Sequence, residues 1–159
     1  MIDFYYVDEK YIQYLKKTEK KIPAVRYDTN EKFVCGIVLK INDLCYYAPI
    51  SHNTSKYRTS MLIKGRDGRT LSSIRFCFMF PAPAESLTKL VFSEIEKRDR
   101  KYADLLREEY AFCASHEKQI RAMALKVYEI GSNPGHVLYK NCCDFKKLEG
   151  CSFLYQKNT

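Results

Sequence analysis

The stretch FVCGIVLKINDLCYYAP, residues 33–49, restricts the fold more than any other part of the chain. From Phe33 to Ile41 it is β-branched and mostly apolar, which suits a buried, pleated strand. Asn42 and Asp43 then interrupt it with side chains that tolerate left-handed backbone, the requirement of a tight hairpin turn. Leu44–Pro49 resumes as a second extended run. The pattern predicts an antiparallel β-hairpin in the core.

Other elements arrange themselves around that hairpin. DFYYV near the start has the length and aromatic content of a strand. DEKYIQYLKK follows with Tyr11, Ile12 and Leu15 at helical spacing, Asp8 placed to cap the N-terminus and Lys16 and Lys17 in the last turn. Residues 19–32 are polar, contain Pro23 and show neither period, so they read as a loop. SMLIKG predicts a short strand, GRDGR a turn, and TLSSIRFCFMFP a strand closed by Pro81 and Pro83. LTKLVF reads as a final strand.

Residues 94–113 and 115–130 then carry apolar side chains at three- and four-residue spacing, predicting two helices. Ser115 is the expected cap of the second, and Gly131 with Pro134 its stop. DFKKLEGCSFLY is a last amphipathic piece that packs the C-terminus onto the body.

Strands first and helices last give an α+β expectation, an antiparallel sheet built mainly from residues 2–92 with helices against it, and argue against βαβ units. With 159 residues, 46% of them apolar, the chain has material for one core. A single domain over 1–159 is expected, sheet-rich over 1–92 and helical over 93–159.

No run approaches the roughly 18 apolar residues that span a bilayer, and MIDFYYVDEK lacks the basic and apolar regions of a signal peptide. A cytoplasmic protein is expected. The seven cysteines are odd in number. Cys35, Cys45, Cys77 and Cys113 lie in apolar runs and read as small buried hydrophobes, while Cys142, Cys143, Cys151 and His136 fit no zinc spacing. The net charge of +8 favours a polyanionic partner, nucleic acid or an anionic surface, although it also serves solubility.

Chemistry concentrates in PISHNTSKYRTS, residues 49–60. The chain has no GxxxxGK[ST], GxGxxG or HExxH motif, so nucleotide-hydrolysing, dinucleotide-binding and zinc-protease readings have no support. A Ser-His hydrolase would need a GxSxG elbow and an orienting acid, and neither is present. Cleavage of RNA asks for less, because RNA carries its own nucleophile in the 2′-OH. The protein must help remove that proton, stabilise the phosphorane and protonate the leaving 5′ oxygen. Lys56 can hold non-bridging oxygens, Ser51 and Ser55 can donate to them, and His52 can carry a proton. No metal or other cofactor is required. The plainer alternative is a solvated turn, since Ser, Thr, Asn and His are common turn formers. A second polar, basic segment holds Arg26, Tyr27 and Lys32, and antiparallel pairing of the hairpin would bring it to the same sheet edge.

FYYVDEKYIQYLKK, FVCGIVLKINDLCYYAPIS and TSK together resemble the ToxN/AbiQ family, endoribonuclease toxins of type III toxin-antitoxin and phage abortive-infection systems. The resemblance is close over the first 60 residues, looser through RFCFMFP, and general beyond Pro83. It implies a compact, strongly twisted antiparallel sheet flanked by helices, like the ribosome-independent RNases of type II systems. It further implies metal-independent RNA cleavage to a 2′,3′-cyclic phosphate and a 5′-OH. The partner it implies is a small repeated RNA pseudoknot antitoxin in a closed protein-RNA assembly, with no membrane involved.

Carried over residue by residue, the family's Tyr and Lys before the GIVL strand match Tyr27 and Lys32. Its hydroxyl pair after the YxAP strand matches Ser51 and His52, so an imidazole replaces the second hydroxyl. The following Lys comes later here, which leaves Ser55 or Lys56 for the active role and His52 as either acid-base group or neutral contact. Arg26, Thr54, Tyr57, Arg58 and Lys64 are the expected RNA-facing residues, whereas Lys and Arg of residues 94–126 are expected on solvated faces. A non-catalytic RNA-binding module and a structural or protein-interaction domain are the rival readings.

Overall fold

The turn at Asn42 and Asp43 forms as their residue types require: both take positive φ, 51° and 62°, in a two-residue hairpin. The structure is a computed structural model that describes residues 1–24, 26–27 and 30–157, with side chains for 1–24 and 32–155. In chain order, β1 (Asp3–Val7) leads into α1 (Glu9–Lys16), followed by β2 (Arg26–Tyr27) and β3 (Asn30–Glu31). The central hairpin is β4 (Val34–Ile41) and β5 (Leu44–Ser51), and β6 (Ser60–Lys64) and β7 (Thr70–Arg75) form the next one. Two short strands, β8 (Phe80–Pro81) and β9 (Leu87–Lys89), complete the strand-rich part. The helical part is α2 (Phe92–Arg98), α3 (Arg100–Ser115), α4 (Glu117–Gly131) and α5 (Phe145–Lys157).

Seven strands make one sheet in the order β6-β7-β5-β4-β1-β9, with β8 alongside β5. Its pairings are antiparallel. Helices α3, α4 and α5 pack on β6, β4 and β8 respectively. The α+β expectation therefore holds. Among the described residues no helix is long and apolar enough to cross a membrane.

The first helix follows its sequence signals, Asp8 accepting from the Lys10 N–H while Tyr11, Ile12 and Leu15 are buried. Elsewhere the structure departs from expectation for identifiable reasons. TLSSIRFCFMFP is not one strand: β7 ends at Arg75, a 3-10 turn occupies Phe76–Phe78, and β8 resumes at Phe80. Both strands lie along one edge of β5, pairing with Ile50–Ser51 and Tyr46–Tyr47. The Ile50 N–H donates to Phe33 on the β4 side at 3.4 Å. Position 49 must then face the other edge, where proline offers no donor, and the neighbouring chain loops out at that level.

The helix expected over 94–113 is two helices broken at Asp99, whose extended backbone lets its carboxylate accept from the Tyr102 N–H and restart the helix as a cap. Ser115 is the last residue of α3 rather than the cap of α4, and its hydroxyl donates back to the Phe112 carbonyl. Residues 19–32, read as a loop, contain the two-stranded β2-β3 ladder. In LTKLVF only Leu87–Lys89 is strand, and Phe92 already opens α2.

The sheet and helices are tied by a buried polar cluster: Tyr46 of β5 and Tyr128 of α4 both donate to one carboxylate oxygen of Glu149 on α5, at 2.7 and 2.6 Å. All seven cysteines are free; Cys45 and Cys151 are half-buried and the other five buried.

Close packing favours glycine at position 36. Gly36 stands opposite Tyr47 across the β4-β5 ladder, and a Cβ added there would run into the Tyr47 ring. Gly150 on α5 has open space around the same added atom. Gly36→Ala is expected to cost about 1–3 kcal/mol by overpacking. Gly150→Ala should instead gain roughly 0.5–1 kcal/mol through helix propensity. Thermal unfolding of the two variants, shifted in opposite directions from the parent, checks the pair.

Candidate nucleic-acid interface

Ser51 closes β5 directly opposite Ser73 of β7, and residues 52–58 leave the sheet there without regular structure. Asn53 gives that loop its shape. Its N–H donates to Ser51 Oγ at 3.1 Å and its side-chain oxygen accepts from the Ser55 N–H at 2.9 Å. Its Nδ2 donates to the Tyr57 hydroxyl at 3.3 Å, while the buried Ser73 hydroxyl donates to its carbonyl at 2.7 Å. These are the local side-chain turns that Ser and Asn favour. His52, Thr54, Ser55, Lys56, Tyr57 and Arg58 are all exposed on a loop held from within.

The hydrogen bonds from Asn53 and then Ser55 lower the Tyr57 pKa, as does the nearby Arg75 cation. Arg75 lies at the end of β7, its guanidinium 4.7 Å from the Tyr57 ring centre and 4.9 Å from that of Phe78. Lys56 makes no hydrogen bond or ion pair among the described residues.

Beside the loop runs a groove of about 580 Å³, lined by Lys56, Tyr57, Arg58 and Thr59 on one wall and Leu138, Lys140 and Asn141 on the other. Lys21, Arg75, Cys77 and Phe78 also line it, and none of the described lining residues is a carboxylate. The wall opposite the loop is the 3-10 turn Tyr139–Asn141. Lys21 donates to the Cys142 carbonyl at 2.9 Å and so fastens that wall.

Of the residues expected from sequence, Ser51, His52, Thr54, Ser55, Lys56, Tyr57 and Arg58 share this loop. Lys32 is close in the sheet: continuing the Val34-Pro49 register sets it level with Ser51. Its half-buried side chain lines a small apolar cavity with Val7, Ile12, Val34 and Phe80. Arg26 and Tyr27 form β2, and their side chains, with any contact they make to the loop, lie outside the described residues. Lys64 is apart, at the far end of β6, roughly 13 Å along the strand from Ser60. There its ammonium donates to the Thr70 hydroxyl at 2.6 Å.

Asn53, Arg75, Lys21 and Lys140 were not singled out from the sequence. Counting outward from the GRDGR turn pairs Ser60 with Ile74; a register shift between Ile63 and Lys64 moves the pairing by one residue and sets Arg75 opposite Ser60, so that one was out of reach. The S-x-N-x-S spacing around Asn53 carries the turn signal.

Comparison with known proteins adds to this geometry. A family model described as "Toxin ToxN, type III toxin-antitoxin system" matches residues 3–152. The chain is 25% identical over 155 residues to the endoribonuclease ToxN of Bacillus thuringiensis subsp. kurstaki, spanning 92% of this chain and 80% of that protein. It is 27% identical over 170 residues to the endoribonuclease AbiQ of Lactococcus lactis subsp. lactis, spanning 98% and 90%. A solved structure from a study of selective toxin inhibition by a non-coding RNA pseudoknot in type III systems has the same fold. Its TM-score is 0.90, over 98% of both chains at 23% identity.

Proposed function

Because this chain belongs to the ToxN family of type III toxin-antitoxin toxins, we propose that it is an endoribonuclease that uses the Ser51–Arg58 loop to break RNA by attack of the substrate's own 2′-OH. One observation carries the reading. A loop rich in hydroxyls and cations, braced by Asn53 and Ser73, stands exposed at the mouth of a basic groove with no carboxylate among its described lining residues.

Each group has a task in that reaction. The 2′ oxygen forms a bond to phosphorus as its proton leaves, and the bond from phosphorus to the 5′ oxygen breaks as that oxygen gains a proton. Lys56 stabilises the negative charge on the non-bridging oxygens, and the Ser51 and Ser55 hydroxyls donate to them. Ser51 accepts the Asn53 N–H through its oxygen, which leaves its own proton free to donate. His52 or Tyr27 handles the protons. Lys32, at the same sheet edge, adds positive charge. Metal-independent chemistry is supported by the loop sequence itself, which contains no Asp or Glu of the kind that holds a catalytic divalent cation.

In the type III system whose toxin shares this fold, inhibition comes from a non-coding RNA pseudoknot. We infer a partner of that kind here, a small repeated RNA that fills the basic surface and closes the loop off in a protein-RNA assembly. The chain's net charge of +8 suits such a polyanion.

Purified protein with labelled RNA in excess EDTA tests the chemistry. Cleavage to 5′-OH and 2′,3′-cyclic phosphate ends is expected. Loss of cleavage in EDTA, or 5′-phosphate products, would overturn the mechanism, and RNA binding without cleavage would make the protein a binding module instead.

A further inference from the structure

We infer that the groove beside the loop is a single-strand RNA subsite in which one unstacked base lies on the outer face of Tyr57, with flanking phosphates on Arg58 and Lys140. This rests on the RNA reading above and extends it to a second wall of the site.

Tyr57 is 43% exposed, unusual for a ring so closely held. One face packs on the Arg75 guanidinium, which also lies 4.9 Å from the Phe78 ring centre. Its hydroxyl is fixed by Asn53. A ring clamped at its edge and on one face loses little freedom when something stacks on the other, which is the condition for cheap and effective stacking. Arg75 has no carboxylate partner among the described residues, so its charge remains beneath the ring and strengthens the platform for an electron-rich base.

The groove is also pre-formed. Lys21 holds the Cys142 carbonyl, and the Cys143 N–H donates to the Cys77 carbonyl at 2.8 Å, which joins the far wall to the turn that carries Phe78. Its volume of about 580 Å³ lies in the range of ligand clefts, roughly 300–1,000 Å³. Lys140 and Arg58 face it from opposite walls with no acid among the described lining residues, an arrangement whose self-repulsion a polyanion relieves. Acidic side chains would satisfy those charges but have no ring of their own to lay on Tyr57, whereas every nucleotide joins a phosphate to a base. Duplex nucleic acid keeps its bases stacked on one another and cannot offer one.

The probe is a pool of 2′-O-methyl RNA strands of random sequence, about 12 nucleotides long, compared with an abasic strand of the same backbone. The parent protein should prefer the base-bearing pool by about 10-fold, within the range measured for one stacked base. Tyr57→Ala should lose that preference while binding the abasic strand as before, and Tyr57→Phe should keep it. Lys140→Ala should weaken both probes alike and reduce the salt slope by about one. Equal affinity of the parent for the two probes, or an unchanged preference in Tyr57→Ala, overturns the inference. Because these strands lack a free 2′-OH, the result is independent of cleavage. A protein that binds them as expected yet leaves natural RNA intact sinks the enzymatic reading alone, and one that cleaves RNA without the base preference sinks only this one.

Discussion

Lys56→Ala is expected to lower single-turnover RNA cleavage by about 10²–10³-fold, the usual consequence of removing one charged donor from a site that stabilises developing negative charge. Folding should be untouched. Lys56 is exposed, makes no described polar contact and lies on a loop whose shape comes from Asn53 and Ser73 rather than from its own side chain. Surface changes of that kind stay within about 0.5 kcal/mol. Ser51→Ala is a less clean experiment, since it also removes the acceptor of the Asn53 N–H and so loosens the turn that presents the other groups. Cleavage rates measured beside a thermal melt separate the two effects. Parent-like cleavage by Lys56→Ala would remove the lysine from the reaction and leave Ser55 and His52 to carry it.

How much of this was legible in the sequence depended on how local the cause was. The central hairpin and the capped first helix follow from adjacent residues: Asn42 and Asp43 supply the turn, Asp8 the cap. The break at Phe76–Phe78 was hidden because it arises from a proline on another strand, Pro49, facing the edge that β7 and β8 share. Asp99 looked like one polar residue in a helical pattern and proved to be a cap that restarts the helix.

The candidate site divides in the same way. Ser51 to Arg58 are contiguous and so could be read together. The opposite groove wall comes from residues 138–141, reached only through packing, with Lys21 reaching across to Cys142. No periodicity or spacing reports a contact between residues that far apart in the chain.

Glu109→Gln is expected to stabilise the fold by about 3 kcal/mol near pH 8 while changing little near pH 4. The buried face of α3 is Ala103, Leu106, Glu109 and Cys113, an apolar stripe with one carboxyl in it. Glu109 is 1% exposed and its one described partner is the Ser72 hydroxyl of β7, which donates to it at 2.7 Å. Burial pushes its pKa from 4.5 up to about 7, the Ser72 hydrogen bond opposing the rise and the neighbouring Glu108 adding to it. Below 4.5 the carboxyl is protonated in both folded and unfolded chains and costs nothing. Between 4.5 and about 7 the unfolded chain releases the proton and the folded one keeps it, so stability falls as pH rises. Above that range the loss is constant, and at about 1.36 kcal/mol per pH unit it comes to about 3 kcal/mol. A glutamine does not titrate and removes the dependence. Melting curves of parent and variant should therefore diverge as pH increases, and parallel curves would refute the assignment. The consequence reaches the loop, because successive residues of β7 point to opposite faces. Ser72 answers to Glu109 on α3 while Ser73 holds the Asn53 carbonyl, so a charge forming behind the sheet loads the strand that braces the candidate RNA-cleaving loop in front of it.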